Sequence, residues 1–241
     1  LITLHGDQYL YPLLGLAFVF ISALAFTRQR WPWAVVAGGV FYLAMLASFA
    51  LVALVPLAIV LAGVEVYQKR MEWGEAGSLV ALGVLGFGGC YLTFVLAFDY
   101  DAVQRLQAAM ALHQRFKIGD WHLGHRLYFG ILNLVEYAVW CGLPLALLCG
   151  ARIRAVAADW RRGVGALQDA PTLALLAVLL VLVAVGKTVA ESGRLWIFLS
   201  PYVAMGAAFE LRRWGGQRAF MALAFMQLVT ALVIKSCQDF F

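Results

Sequence analysis

Charge is scarce in this chain. Only 13% of its 241 residues are Asp, Glu, Lys or Arg, against 64% hydrophobic, and the mean hydropathy is +0.86. That excludes an ordinary soluble domain, which carries far more charge. Cysteine is scarce too: Cys90, Cys141, Cys149 and Cys237 lie within or at the edge of apolar stretches, with no C-x-x-C pair. They form no disulfide framework and read as small buried residues. No basic run exceeds two residues, so the net charge of +5 does not mark a nucleic-acid surface. Period-two alternation is missing as well. The apolar runs are continuous, which argues against strands.

What remains is an all-α, polytopic transmembrane helical bundle, a single transmembrane domain over residues 1–241. A short polar lead-in carries His5 and Asp7, and a first span over residues 10–26 ends in Arg28, Arg30, Trp31 and Trp33. Residues 33–66 are too long for one crossing and slightly short for two. With Lys69 and Arg70 at their far end, they predict a hairpin with a sunken turn near Ser48 and both ends on one side. Further spans are expected over residues 78–98, over 127–148 with an interruption at Pro144, as a hairpin over 171–210, and over 219–236. That makes about eight spans with both termini outside. The cytoplasmic loops then hold 11 of the 18 Lys and Arg, Arg152 and Arg154 among them, which is the bias the positive-inside rule requires. The expected location is a bacterial inner membrane with the active side outward. The chain opens on Leu1 without a basic leader and cleavage site, and reads as a piece of a longer polytopic protein.

The hairpin over residues 171–210 is the focus. Its 40 residues span about 60 Å as helix, so two crossings of a ~30 Å core leave nothing for the turn. Yet the turn holds Lys187, Glu191 and Arg194 within eight residues. Ionisable groups at that depth pair with one another or face a cavity. Two readings stand side by side: a salt-bridged turn joining two helices, with Glu191 and Arg194 three apart, and a substrate-facing site.

On this topology the outer side also collects all four histidines. Residues 102–117 carry Val103, Leu106, Met110 and His113 along one helical face, the pattern of a helix lying in the membrane interface. His113 can serve there as an ordinary hydrogen-bonded histidine or reach a buried headgroup. His122 and His125 have helical ligand spacing but no third partner, and Trp121, Tyr128 and Phe129 form an aromatic belt. Asp99-Tyr100-Asp101 spells a D-x-D that suits a divalent cation bound to diphosphate, and reads equally as a helix end entering a solvated loop. Asn133 and Glu136 share a helical face, and Glu136 wants a partner, with Arg126 the nearest outer arginine.

Glu191-Ser-Gly-Arg194-Leu-Trp196-Ile-Phe198-Leu-Ser-Pro201, following Gly186-Lys187, resembles the E-x-x-R-[LI]-W-x-F-L-x-P stretch of bacterial polytopic proteins in the C-type glycosyltransferase superfamily. These are similar to the dolichyl-phosphate-mannose and arabinofuranosyl transferases. Residues 38–62 resemble their G-x-x-x-x-L-A-x-L-x-S-F-x-A-L-x-x-x-P-L hairpin. The stretch from His113 through Arg126 to Asn133, Tyr137 and Pro144 is similar to their H-…-R-x-Y-…-N-L-x-[DE]-[FY]-…-G-x-P region. The resemblance implies sugar transfer from a polyprenyl-phosphate donor at the outer face. It also implies a catalytic carboxylate on a first outer loop that this piece lacks. The base is therefore unknown, and Asp7, at the edge of the missing region, is the one candidate here.

The chemistry is coherent on its own terms. A lipid-phosphate sugar needs cations for its phosphate and an apolar groove for its chain. Arg194, Lys187 and Arg126 are the candidate phosphate ligands, arginine being suited to bidentate contact. Charge grows on the phosphate as the sugar leaves, so a fixed arginine favours the transition state. Glu191 would orient these cations, and His5, His113 and Glu136 are further pocket candidates. The alternative is a polytopic transporter or flippase for a lipid-linked or small polar substrate, and a third is a scaffold that binds lipid-linked precursors.

Overall fold

The computed structural model describes residues 2–116, 123–165, 167–185 and 195–237. Lys187, Glu191 and Arg194, expected on a turn, lie outside the described residues, as do Trp121 and His122. Among the described residues the protein is all-helical, with ten α-helices, three short 3-10 turns and no strand. The chain divides into two compact units, Leu1–Arg126 and Leu127–Phe241.

The first unit is built on four apolar helices. α1 (Ile2–Arg28) starts at once, so the expected polar lead-in is the beginning of the helix. Gln29, in the left-handed region at φ 51°, turns the chain into α2 (Trp31–Ala47), whose first turn holds Pro32. α1 and α2 run antiparallel, Phe18 meeting Phe41 at 4.9 Å while Ala25 and Phe26 share a core cluster with Ala34. Ser48 is extended and caps a 3-10 turn, Phe49–Leu54, that leads into α3 (Val55–Tyr67). The break therefore falls at Ser48, where the length of the apolar run placed it.

Lys69 (φ 56°) ends α3, and α4 (Trp73–Phe98) follows behind a reciprocal cap in which the Glu75 carboxylate accepts from the Glu72 amide at 3.1 Å. The Gln29 amide donates to the Arg70 carbonyl at 2.8 Å. Both ends of the 33–66 segment thus meet at one end of the unit, as the basic residues predicted. α2 and α4 run parallel and touch backbone to backbone. A Cβ on Gly38 would run into the Gly83 carbonyl, and one on Gly86 into the Val35 carbonyl. Small residues permit this approach, which supplies packing where lipid supplies no hydrophobic drive. Asp99 (φ 50°) ends α4 and α5 (Ala102–Phe116) follows, the helix expected from the pattern of residues 102–117.

The second unit begins within α6 (Leu123–Cys141). The expected single span over 127–148 is not straight. At Gly142 (φ 89°) the chain bends by 119° into α7 (Leu143–Arg161), so glycine rather than Pro144 makes the break, and Pro144 sits harmlessly in the next first turn. The bend frees helix-end carbonyls, and the Gln227 amide donates to that of Cys141 at 2.7 Å. α8 (Ala170–Val185), a 3-10 turn at Ile197–Leu199, α9 (Ser200–Trp214) and α10 (Gly216–Cys237) complete the unit.

Arg152 is also not the solvated loop cation expected. It lies inside α7, 7% exposed, and its guanidinium donates to Asp169, 4% exposed, at 2.6 Å. The Phe209 ring covers it at 5.5 Å. Glu210 is buried too, accepting from Arg213 at 3.2 Å and from the Trp214 indole at 3.1 Å.

Tyr9–Arg28, Phe49–Tyr67, Trp73–Phe98 and Gly216–Ile234 are long and apolar enough to cross a membrane, and the bent pair of α6 and α7 makes a fifth if it counts as one span. α2 and α8 are apolar but shorter, at 17 and 16 residues, about 26 and 24 Å. Composition and helix length together mark an integral membrane protein.

Candidate functional site

The second unit brings together the two stretches that drew attention in the sequence. α6 carries Asn133 and Tyr137 four residues apart, hence on one face, and both are buried. Against that face lies the segment that follows Lys187, Glu191 and Arg194 in the chain. The Trp196 ring meets Tyr137 edge-on at 5.7 Å. Trp196, Phe198, Leu199 and Tyr202 are all buried, and Trp196 is only 1% exposed.

Local rules shape that segment. Leu195 and Trp196 lead into the 3-10 turn, the Ser200 hydroxyl donates to the Ile197 carbonyl at 2.6 Å, and Pro201 stands in the first turn of α9. Upstream, a Cβ on Gly130 would run into the Val183 carbonyl, so α6 and α8 also touch backbone to backbone. Val183 lies just before residue 186 and Trp196 just after residue 194. Val183 and Trp196, on either side of the undescribed residues, thus both pack on α6, at Gly130 and Tyr137.

The other sequence-derived candidates fall in several places. Arg126 is exposed on α6, one turn before Gly130. Glu136 is half-buried on the same helix. Ten helical residues separate them by about 15 Å, so Arg126 is not the partner Glu136 was expected to find. His125 is exposed on α6. His5 and Asp7 lie on α1 and His113 on α5, but their side chains are outside the described residues, as are Lys187, Glu191 and Arg194 altogether.

Asp99 and Asp101 share the turn between α4 and α5, with different work. Asp99 ends α4 in the left-handed region. One Asp101 oxygen accepts from the Val103 amide at 2.9 Å, the Gln104 amide at 3.1 Å and the Tyr91 hydroxyl at 3.0 Å. It is an N-cap for α5. The Gln104 amide above all holds the Asp101 carboxyl below its usual range; burial, the next largest effect, opposes it, and the Tyr91 hydroxyl and the Val103 amide add to the lowering. Among the described residues no group of three or more His, Cys, Asp or Glu is placed to hold a metal ion.

The first unit contains a cavity of about 300 Å³ between α1, α2, α3 and α4, lined by apolar side chains such as Phe18, Phe41, Ile59 and Phe87, with Ser22 the one hydroxyl. The size and lining suit a hydrocarbon chain. Sequence reasoning missed the buried Arg152–Asp169 pair and the Gln227 support of the Gly142 bend. Neither has a local signal, because the partners are far apart in the chain. Comparison with protein-family models, with curated proteins and with solved structures finds no match to this chain.

Proposed function

We propose that this chain is the transmembrane portion of a glycosyltransferase that moves a sugar from a polyprenyl-phosphate donor to an acceptor on the outer side of a bacterial inner membrane. The carrying observation is the packing of Tyr137 on Trp196. Two of the separated stretches that resemble C-type glycosyltransferases meet in one core, and the described residues on either side of the cationic stretch, Val183 and Trp196, pack on α6.

In this reading Arg194 and Lys187 hold the donor phosphate, Glu191 orients them, and Arg126 adds charge from the start of α6. As the sugar departs, the phosphate gains negative charge that a fixed guanidinium stabilises. A divalent cation at Asp99 and Asp101 is not needed for this step, and Asp101 already serves as a cap. Eight crossings are assigned to α1, α2, α3 with its 3-10 lead, α4, α6, α8, α9 and α10, with α5 lying in the outer interface. The bacterial inner membrane and the outward active side belong to the same proposal.

A polytopic transporter or flippase is the second reading, and the 119° bend at Gly142 favours it, because transporters bind substrate where helices break. One experiment separates the two. Membranes containing the natural protein are given a radiolabelled polyprenyl-phosphate sugar. Sugar transfer that Arg194→Ala abolishes supports the transferase. Donor translocation without transfer supports the transporter, and transfer that survives Arg194→Ala removes the role given to that residue.

A further inference from the structure

At the end of the first unit where α1 meets α2 and α3 meets α4, Gln29, Lys69, Arg70 and Trp73 line a cleft of about 780 Å³. Arg28 and Arg30 flank Gln29, so four cations stand on two turns that the Gln29–Arg70 hydrogen bond ties together. Gln29 and Lys69 both hold left-handed backbone, which L side chains adopt at a cost, so the two turns are held in one shape by their surroundings. Glu72 and Glu75 also line the cleft, but each is turned onto backbone amides of the α4 cap. The cations are left to face outward. Lys69, Arg70, Arg28 and Arg30 are all exposed, and so is Trp73 at the same level.

An apolar path leads away from this cleft. Met71, which lines it, belongs to the buried cluster of Ala25, Phe26, Ala34 and Leu79. Those four also line the 300 Å³ apolar cavity. A cationic cleft and a hydrocarbon-sized cavity are thus one layer of side chains apart, in a protein whose helices are long enough to cross a bilayer.

We infer that this end of the first unit is a binding site for an anionic phospholipid. The phosphate rests among Lys69, Arg70 and the flanking arginines, and one acyl chain lies along the cavity between α1, α2, α3 and α4. Basic pockets between membrane helices recognise lipid headgroups through charge-assisted contacts, and the indole of Trp73 sits well at that depth. Four cations against two engaged carboxylates disfavour a zwitterionic headgroup relative to an anionic one. This site is independent of the charged turn and of the sugar-transfer reading.

The test is native mass spectrometry of the detergent-solubilised protein equilibrated with equal amounts of phosphatidylglycerol and phosphatidylcholine. Phosphatidylglycerol should be retained at least about tenfold more, equivalent to ~1.4 kcal/mol. The double variant Lys69→Asn/Arg70→Gln should erase that preference, asparagine being chosen because it tolerates left-handed backbone. Ala58→Trp, which fills the cavity, should lower retention of both lipids while leaving the headgroup residues untouched. Elution as a single species with unchanged helicity checks that each variant folds. Equal retention of the two lipids would overturn the inference. So would an undiminished preference in the double variant, or displacement of the lipid by inorganic phosphate alone.

Discussion

Arg152 and Asp169 show how a single pair can hold a membrane unit together. Burial strips both of water, and the Arg152 guanidinium then depends on the Asp169 carboxylate. Asp169→Ala leaves an unpaired guanidinium under Phe209 and should lower stability by about 3–5 kcal/mol, while the apolar pair Arg152→Met/Asp169→Leu should be far milder. Thermal unfolding in detergent reads both, and equal losses would contradict the buried-pair account. Asp101 makes a prediction of the opposite kind, set by pH. Its folded pKa is depressed, so its capping contribution is present above the ordinary carboxylate range and is lost as pH falls through the folded value. Amide exchange at Val103 and Gln104, after correction for intrinsic rates, should stay slow at neutral and mildly acidic pH and accelerate only once pH falls below the ordinary carboxylate range. In Asp101→Ala the protection should be low throughout, with no acid limb. None of this was legible beforehand. Arg152 reads as a loop arginine until Asp169, 17 residues away, is folded onto it.

At the scale of helices, apolar length was the most informative signal. The stretch over residues 33–66 fits neither one crossing nor two, and the chain resolves this with a break at Ser48. The helix over 102–117 was legible from its period, and the basic residues at both ends of the 33–66 segment correctly placed those ends together. The bend after α6 was read at the wrong residue. Pro144 drew attention because proline breaks helices, but Gly142 adopts φ 89° and Gln227, far along the chain, supports the freed carbonyl. Tertiary support of that sort leaves no local trace. Glycines decide the α2–α4 contact as well. Gly38→Leu should push the helices apart and cost about 1–3 kcal/mol or more, seen as a lower melting temperature in detergent. Gly88→Leu, where nothing lies near a new Cβ, should leave it almost unchanged, and equal shifts would refute the close approach.

For the whole molecule, sequence reading recovered the class. It saw an all-helical membrane protein, and it singled out Asn133, Tyr137 and Trp196 within stretches that pack on one another in the second unit. The number of crossings is harder to read. Helices such as α2 and α8 are apolar but short, so charge and packing must complete what length leaves open. The central claim is the proposal that the charged stretch following Val185 binds a lipid phosphate through Arg194. Equilibrium binding of a radiolabelled polyprenyl monophosphate to the detergent-solubilised protein tests it most directly, with Arg161→Ala, at the exposed end of α7, as the control. The account predicts that Arg194→Ala weakens binding by about tenfold or more, ~1.4 kcal/mol, while Arg161→Ala leaves it unchanged. Equal affinity in the two variants, or no binding to the unsubstituted protein, would contradict it.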